Sequence, residues 1–193
     1  MYLSQKVQAI EEVFTLLDQE MSKFQGWSGL ACKIGCGKCC NKADIEATVI
    51  EFIPFAHYLF LLNQSDAWLE RLAAHESKFC LLFEPSRGGS GACTQYPFRG
   101  LICRLFGFSA RTNKYAQREF VSCQTIKTEQ ITAFTETSRK VQQGEFVPVM
   151  NHYYMRLHAI DRDLARDFYP INEAIKRAIE TVLHYYAYKN PES

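Results

Sequence analysis

Apolar residues near the start of the chain recur at three- and four-residue steps, the spacing of one face of an α-helix. The residues that mark this face are Leu3, Val7, Ile10, Val13, Phe14, Leu17 and Met21. The pattern predicts an amphipathic helix that ends near Gly26. Helical spacing returns after Lys127 and continues almost to the end of the sequence. Helices are therefore predicted at both ends of the chain.

Two further helices are predicted between these ends. Thr48 and Glu51 have the spacing of a capping box, which indicates a helix from Val49 that Pro54 either kinks or delays. Asp66 is predicted as the N-cap of a second amphipathic helix that ends before the next cysteine.

Two segments lack helical spacing. Residues 29–41 are rich in glycine and cysteine, and glycine permits the tight turns that wrap a backbone around an ion. Residues 80–123 contain many glycines and prolines, which favour short strands and turns. All eight cysteines lie in these two segments, so the irregular parts of the chain carry its candidate chemistry.

The length and composition are those of a globular domain. The chain has 193 residues, of which 47% are hydrophobic and 13% aromatic, values that argue against disorder and allow one hydrophobic core. We expect a mainly α-helical single domain over residues 1–193. Its flanking helices, over 1–26 and 127–188, are expected to pack around an irregular cysteine-rich core at 32–123 with at most short β-strands.

Charge and hydropathy suggest no specific partner. A net charge of +1 gives no field that would attract nucleic acid or an acidic membrane surface. The start of the chain has acidic residues where a signal peptide needs an apolar stretch, and the apolar stretch at 52–62 is too short to span a bilayer. We therefore expect a cytoplasmic protein with no nucleic-acid or membrane partner, whose protein or small-molecule partner the sequence does not identify.

In the cytosol thiols stay reduced, so metal ligation explains the cysteines better than disulfides do. Four of them, Cys32, Cys36, Cys39 and Cys40, fall within nine residues. Thiolates are soft ligands that suit zinc ions and iron-sulfur clusters. The other four, Cys80, Cys93, Cys103 and Cys123, are widely spaced. The count permits two tetrathiolate zinc sites, one four-iron cluster with spare thiols, or one cluster plus a zinc ion.

The two sets together resemble the YkgJ-type cysteine-cluster family of zinc- or iron-chelating domains. That family has a motif similar to C-x(2,3)-C-x-x-C-C, which the first set matches. Its second motif is similar to the segment Cys93-Thr-Gln-Tyr96-Pro-Phe-Arg99-Gly100-Leu-Ile-Cys103-Arg104-Leu-Phe106. Gly100 stands where the family usually has proline. All eight cysteines are therefore candidate metal ligands, and the sequence does not identify which of them are spare.

Arg99 and Arg104 of the second motif are candidate cofactor-binding residues. A guanidinium is always charged, so either side chain could stabilise an anionic thiolate cluster or bind a carboxylate or phosphate group. The alternative is a structural arginine paired with an acidic residue.

One compact and one dispersed set of ligands is more typical of iron-sulfur clusters than of zinc fingers. Resemblance to the cluster-bearing part of flagellin lysine methylases implies the same cofactor. The leading hypothesis is a 4Fe-4S protein with an electron-transfer, metal-handling or regulatory role. The alternatives are a zinc-binding structural or interaction module and a cluster-dependent enzyme; the usual nucleophile and phosphate-loop motifs of enzymes are absent from the sequence.

Overall fold

The computed structural model describes residues 1–33, 35–86 and 91–189, with only the backbone of residue 189. The described residues form the α-helices α1 (Leu3–Ser28), α2 (Ile53–Leu61), α3 (Ser65–Ala73), α4 (Leu101–Leu105), α5 (Gln124–Glu129), α6 (Ile131–Gln142), α7 (Met150–Ile160), α8 (Arg162–Arg166) and α9 (Ile171–Lys189). Short antiparallel strands pair as β1 (Glu46–Thr48) with β6 (Phe168–Pro170), β2 (Phe83–Pro85) with β3 (Gly91–Cys93), and β4 (Ser109–Thr112) with β5 (Arg118–Val121). The predicted mainly α-helical class is confirmed.

Helix α1 carries the predicted apolar face but ends later than predicted. Its last residue is Ser28, and Gly29 follows in the left-handed conformation at φ 68°. The Gly29 N–H donates to the Gln25 carbonyl oxygen at 3.0 Å. The glycine that ends the helix is therefore Gly29 and not Gly26, because this position is the one that requires a positive φ.

The capping box at Thr48 and Glu51 is present. The helix that it begins starts as a 3₁₀ turn over Val49–Phe52, and α2 follows with Pro54 in its first turn. Proline is tolerated there because the first helical N–H groups have no partner within the helix. Pro54 therefore delays the α-helix and does not kink it.

The prediction that Asp66 caps α3 is wrong. The helix starts one residue earlier, with Gln64 in the N-cap position. Asp66 lies in the first turn, where its negative charge interacts favourably with the positive end of the helix dipole. The amphipathic character of the helix is as predicted, with Trp68 and Leu72 buried.

The principal core lies between helices from both ends of the chain. Helix α9 packs on α2 and α3, and α1 packs on α2 and α7. The α9 residues that are fully buried are Ala174, Ile175, Ala178, Ile179 and Val182. Burial of a large aliphatic side chain contributes about 1.5–3 kcal/mol, so these contacts hold the terminal helices around the cysteine segments.

Residues 80–123 contain β2 to β5 as predicted, and also the short helix α4, which carries Cys103. A smaller core of Phe24, Ala110, Val141 and Val147 fixes this half of the chain to the end of α1. In the described ranges, no helix combines the length and the apolar character needed to cross a bilayer.

Candidate metal centre

The first cysteine segment is held against strand β3 by two glycines. The Gly91 N–H donates to the Gly35 carbonyl oxygen at 3.2 Å. Gly37 has φ 54°, and a Cβ atom on it would lie 2.3 Å from the Gly91 oxygen. Glycine is required here because no other residue combines this φ with so close an approach. The contact brings Cys39 to the strand that ends at Cys93.

Cys39 and Cys40 lie in the turn that begins at Gly37, the glycine that makes this contact. The Cys40 N–H donates to the Gly37 carbonyl oxygen at 2.9 Å, which closes a tight turn. The two Sγ atoms lie 3.9 Å apart. The hydrogen bond between the two thiols lowers the pKa of Cys39 to about 6 and raises that of Cys40. The adjacent cysteines therefore present both sulfurs to the same region.

Five thiols line one cavity of about 430 Å³. We call them the inner thiols: Cys39, Cys40, Cys80, Cys93 and Cys103. They come from the first cysteine loop, the segment before β2, the end of β3, and α4. Much of the remaining wall is apolar and includes Phe52, Leu82, Phe83, Ile102, Phe106 and Ile171. Sequence positions up to 64 residues apart thus meet around one largely apolar space.

Burial disfavours the ionised form of the inner thiols. It raises the pKa of Cys80 to about 11 and also raises the pKa of Cys93. The pKa of Cys103 is raised by burial and then by the charges of Glu51 and the neighbouring cysteines. Thiolates gathered in this way repel one another, and a bound metal cation would offset both the repulsion and the cost of burial.

The other three cysteines, which we call the outer thiols, lie to one side of this cavity. Cys32 is exposed, whereas Cys36 and Cys123 are half-buried, and none of the three lines the cavity. Although Cys32 as a whole residue is exposed, partial desolvation of its thiol and then the nearby Cys36, Cys39 and Cys123 raise its pKa to about 11. The outer thiols therefore form a group of their own, with Cys39 between the two groups.

Helix α5 holds the outer group together. Its N-cap is Cys123, whose Sγ accepts a hydrogen bond from the Ile126 N–H at 3.4 Å. At the other end of α5, the Gln130 amide binds the backbone of Ala31 twice, at 2.7 and 3.1 Å. Lys33 also forms an ion pair with Glu129. Cys32 is thus tethered to α5 through the residues on both sides of it.

Among the residues that the structure describes, no three histidine, cysteine or carboxylate side chains converge as ligands of a single metal ion. The fold divides the eight predicted ligands into five inner and three outer thiols. The assignment of each as a ligand stays a prediction.

Arg104 packs between the second motif and α1. Its guanidinium pairs with Asp18, donates to the carbonyl oxygens of Pro97 and Arg99 at 2.7 and 3.0 Å, and lies 4.6 Å from the centre of the Phe14 ring. These hydrogen bonds hold the loop before α4 against the first helix. The predicted cofactor-binding role of Arg104 stays a prediction, because its contacts in the described structure are structural.

Arg99 faces the thiols. It lines the cavity, stacks 3.7 Å from the centre of the Tyr96 ring, and has a buried Nε with no hydrogen-bond partner in the described structure. Its positive charge acts to lower the pKa of both Cys39 and Cys93. Arg99 is therefore the better placed of the two arginines to stabilise an anionic centre.

A buried carboxylate beside the cavity was missed as a site residue. Glu51 is 1% exposed and accepts hydrogen bonds from the N–H groups of Thr48 and Ile102, at 2.7 and 2.9 Å. Burial raises its pKa to about 7. A Cβ on Gly100 would lie 2.9 Å from both Glu51 Oε2 and the Phe52 ring. A side chain at position 100 would therefore require Glu51 and Phe52 to move.

Residues 31–124 match the family model CxxCxxCC, described as "Putative zinc- or iron-chelating domain". The match includes all eight cysteines and both arginines, and it excludes α1 and the helices from α6 onward. The chain has no significant match among curated proteins or among solved structures. The resemblance predicted from the two cysteine motifs is confirmed over this range, and it supports metal binding by the cysteine core.

Proposed function

Because residues 31–124 carry a CxxCxxCC domain, we propose that the inner thiols hold an iron-sulfur cluster of the 4Fe-4S type. The protein would then have an electron-transfer, metal-handling or regulatory role. The observation that carries this proposal is the placement of five thiols from four chain segments around one cavity of about 430 Å³. Four thiolates suffice for such a cluster, and the inner group contains five thiols.

The donor set and the walls of the cavity fit this group. Cysteine thiolates suit iron-sulfur clusters, and a cluster of several irons and sulfides occupies more space than a single zinc ion with sulfurs at about 2.3 Å. The apolar walls would limit access of water, one of the factors that set a cluster's reduction potential. When bound, the cluster supplies one-electron redox chemistry.

The chain's own residues would stabilise the charge of the centre. Arg99 places a positive charge beside Cys39 and Cys93, as an anionic tetrathiolate centre requires. Arg104 fixes the loop that carries Arg99, because its Nε–H donates a hydrogen bond to the Arg99 carbonyl oxygen. Arg99 would act on the centre, and Arg104 would act through the position of the loop.

A zinc-binding structural or interaction module is the second candidate, and one distance favours it. Four sulfurs at about 2.3 Å from a tetrahedral zinc ion lie about 3.8 Å from one another. The 3.9 Å between the Cys39 and Cys40 sulfurs is close to this value. Thiolates on different irons of a cluster lie farther apart. To bind a cluster, the sulfurs of Cys39 and Cys40 would have to move apart, or one of these two cysteines would not be a ligand.

The test is to measure iron, zinc and acid-labile sulfide on protein purified without oxygen, together with the visible absorption spectrum. We expect about four irons and four sulfides per chain and a broad visible absorption. A sample of the same preparation, exposed to air and an iron chelator, serves as the control and should lose its colour. One or two zinc ions per chain with no sulfide would refute the cluster and establish the zinc module.

A further inference from the structure

Tyr154 of α7 contributes a polar group to the thiol cavity from outside the family-matched range. Its side chain lines the cavity, and its ring packs against that of Phe168 with the ring centres 5.4 Å apart. The hydroxyl oxygen is buried and has no hydrogen-bond partner among the described residues. Burial raises the pKa of this hydroxyl, and the titratable groups that also act on it are Glu51 and Cys103.

An unpaired buried hydroxyl is unfavourable. Leaving one without a partner costs about 1–3 kcal/mol, and most buried polar groups in folded proteins do have a partner. Glu51 accepts hydrogen bonds from Thr48 and Ile102 and forms none with Tyr154. Because Tyr154 lines the cavity, an acceptor bound there would satisfy this hydroxyl.

We propose that the Tyr154 hydroxyl donates a hydrogen bond to a sulfur atom of the metal centre held by the inner thiols. The inference rests on the proposed function, and it makes Tyr154 a positioning residue that stabilises the bound metal. A tyrosine hydroxyl, with an ordinary pKa of about 10, is protonated at neutral pH and can donate. Hydrogen bonds from such residues around a metal site commonly change its metal affinity by about 10–100-fold.

The neighbouring residue supplies a matched control. Tyr153 is buried on the same helix, but it does not line the cavity. The charged side chains that act on its hydroxyl are those of Glu20 and Arg156. Tyr153→Phe and Tyr154→Phe each remove one buried hydroxyl from the same helix. They differ in whether that hydroxyl faces the thiols.

The experiment measures the rate of metal release from the purified holoprotein into excess chelator, for the wild type and both variants. The metal content per chain and the sulfur-to-metal absorption band are recorded first. We expect Tyr154→Phe to bind the same amount of metal, to shift the absorption band, and to release metal about ten times faster. Tyr153→Phe should match the wild type in all three readouts.

Each other outcome contradicts the inference. Unchanged release and an unchanged band in Tyr154→Phe would mean that the hydroxyl binds water and not the centre. An equal increase in the rate of metal release in both variants would mean that the substitutions act by weakening the packing of α7. A wild type that carries no metal would refute the proposed function as well, whereas a metal-loaded wild type with an unaffected Tyr154→Phe would refute this inference alone.

Discussion

The inner and outer thiols differ in how the fold gathers them. The five inner thiols come from four segments, are buried or half-buried, and share one cavity. The three outer thiols lie beside α5, and Cys32 among them is exposed. Cysteines that are neighbours in sequence fall into different groups, since Cys36 is outer and Cys39 is inner. Tertiary packing, and not spacing along the chain, decides which thiols can share a centre.

The contacts that create the two groups also differ. The inner group depends on the approach of Gly37 to Gly91, which leaves no room for a side chain. The outer group depends on side-chain contacts, chiefly the two hydrogen bonds between Gln130 and Ala31. The inner group should therefore be the more sensitive to a small change in the backbone.

The largest effect is expected from Gly37→Ala, which should separate the inner thiols. A positive φ costs a non-glycine residue about 1–2 kcal/mol, and the added Cβ would also meet the Gly91 oxygen at 2.3 Å. We expect the variant to lose most of its metal and more than 2 kcal/mol of unfolding free energy. Metal analysis and chemical denaturation measure these changes.

Gly35→Ala is the matched control. Gly35 also has a positive φ, of 70°, but an added Cβ there would meet no atom of the described residues within 4 Å. This variant should show the conformational cost of about 1–2 kcal/mol and keep its metal. Equal metal loss in both variants would show that the contact with β3 does not form the site.

A smaller and more selective effect is expected from the two arginines. Arg104→Met removes hydrogen bonds to Asp18, Pro97 and Arg99, and charged hydrogen bonds contribute about 1.5–3 kcal/mol. We expect a loss of about 2 kcal/mol in unfolding free energy with the metal content unchanged. Arg99→Met should instead weaken metal binding, as competition with a chelator would measure. The reverse pattern would make Arg104 the cofactor-binding residue.

The smallest effect is expected far from both groups, at Asp161. Its carboxylate caps α8 and pairs with Lys6. Burial raises the pKa of Asp161, but the hydrogen bonds from Lys6 and the helix N–H groups outweigh burial and hold the pKa below its usual range. Asp161→Asn should lower the unfolding free energy by about 1 kcal/mol at neutral pH.

The pH dependence of this difference has a definite sign. Because the folded-state pKa of Asp161 is depressed, the stabilisation is present above the unfolded-state pKa of about 3.9 and is lost as the pH falls through the lower folded-state value. The difference between wild type and variant should shrink between pH 5 and pH 2 in denaturation experiments on the metal-free proteins. A difference that grows on acidification would contradict the pairing with Lys6. Metal binding at neutral pH should be unchanged, which makes this variant a control for stability losses alone.

Local signals in the sequence predicted most of the helices. The apolar spacing in α1 and the capping box before α2 depend on residues within a few positions of one another, so both could be predicted from the sequence. The errors were also local. Gly26 was preferred to Gly29 as the end of α1 because the two glycines are close together, and Asp66 was preferred to Gln64 as the cap of α3 because glutamine is not a typical N-cap residue.

The division of the cysteines could not be predicted, since it depends on contacts between distant segments. Gly37 lies between Cys36 and Cys39 in the sequence, and nothing in their spacing indicates that it packs against Gly91. Tyr154 lies in the helical region predicted after Lys127, and only the position of α7 brings it to the cavity. Glu51 was recognised as a helix cap, but its burial beside Cys103 depends on where α4 lies.

The central claim is that the inner thiols hold the metal centre. The most direct test compares metal and acid-labile sulfide per chain in two variants with three serines each, Cys32→Ser/Cys36→Ser/Cys123→Ser and Cys80→Ser/Cys93→Ser/Cys103→Ser, both purified without oxygen. We predict that the outer variant keeps the metal and sulfide content of the wild type and that the inner variant loses the centre. Loss of the centre in the outer variant, or its retention in the inner one, would contradict the account.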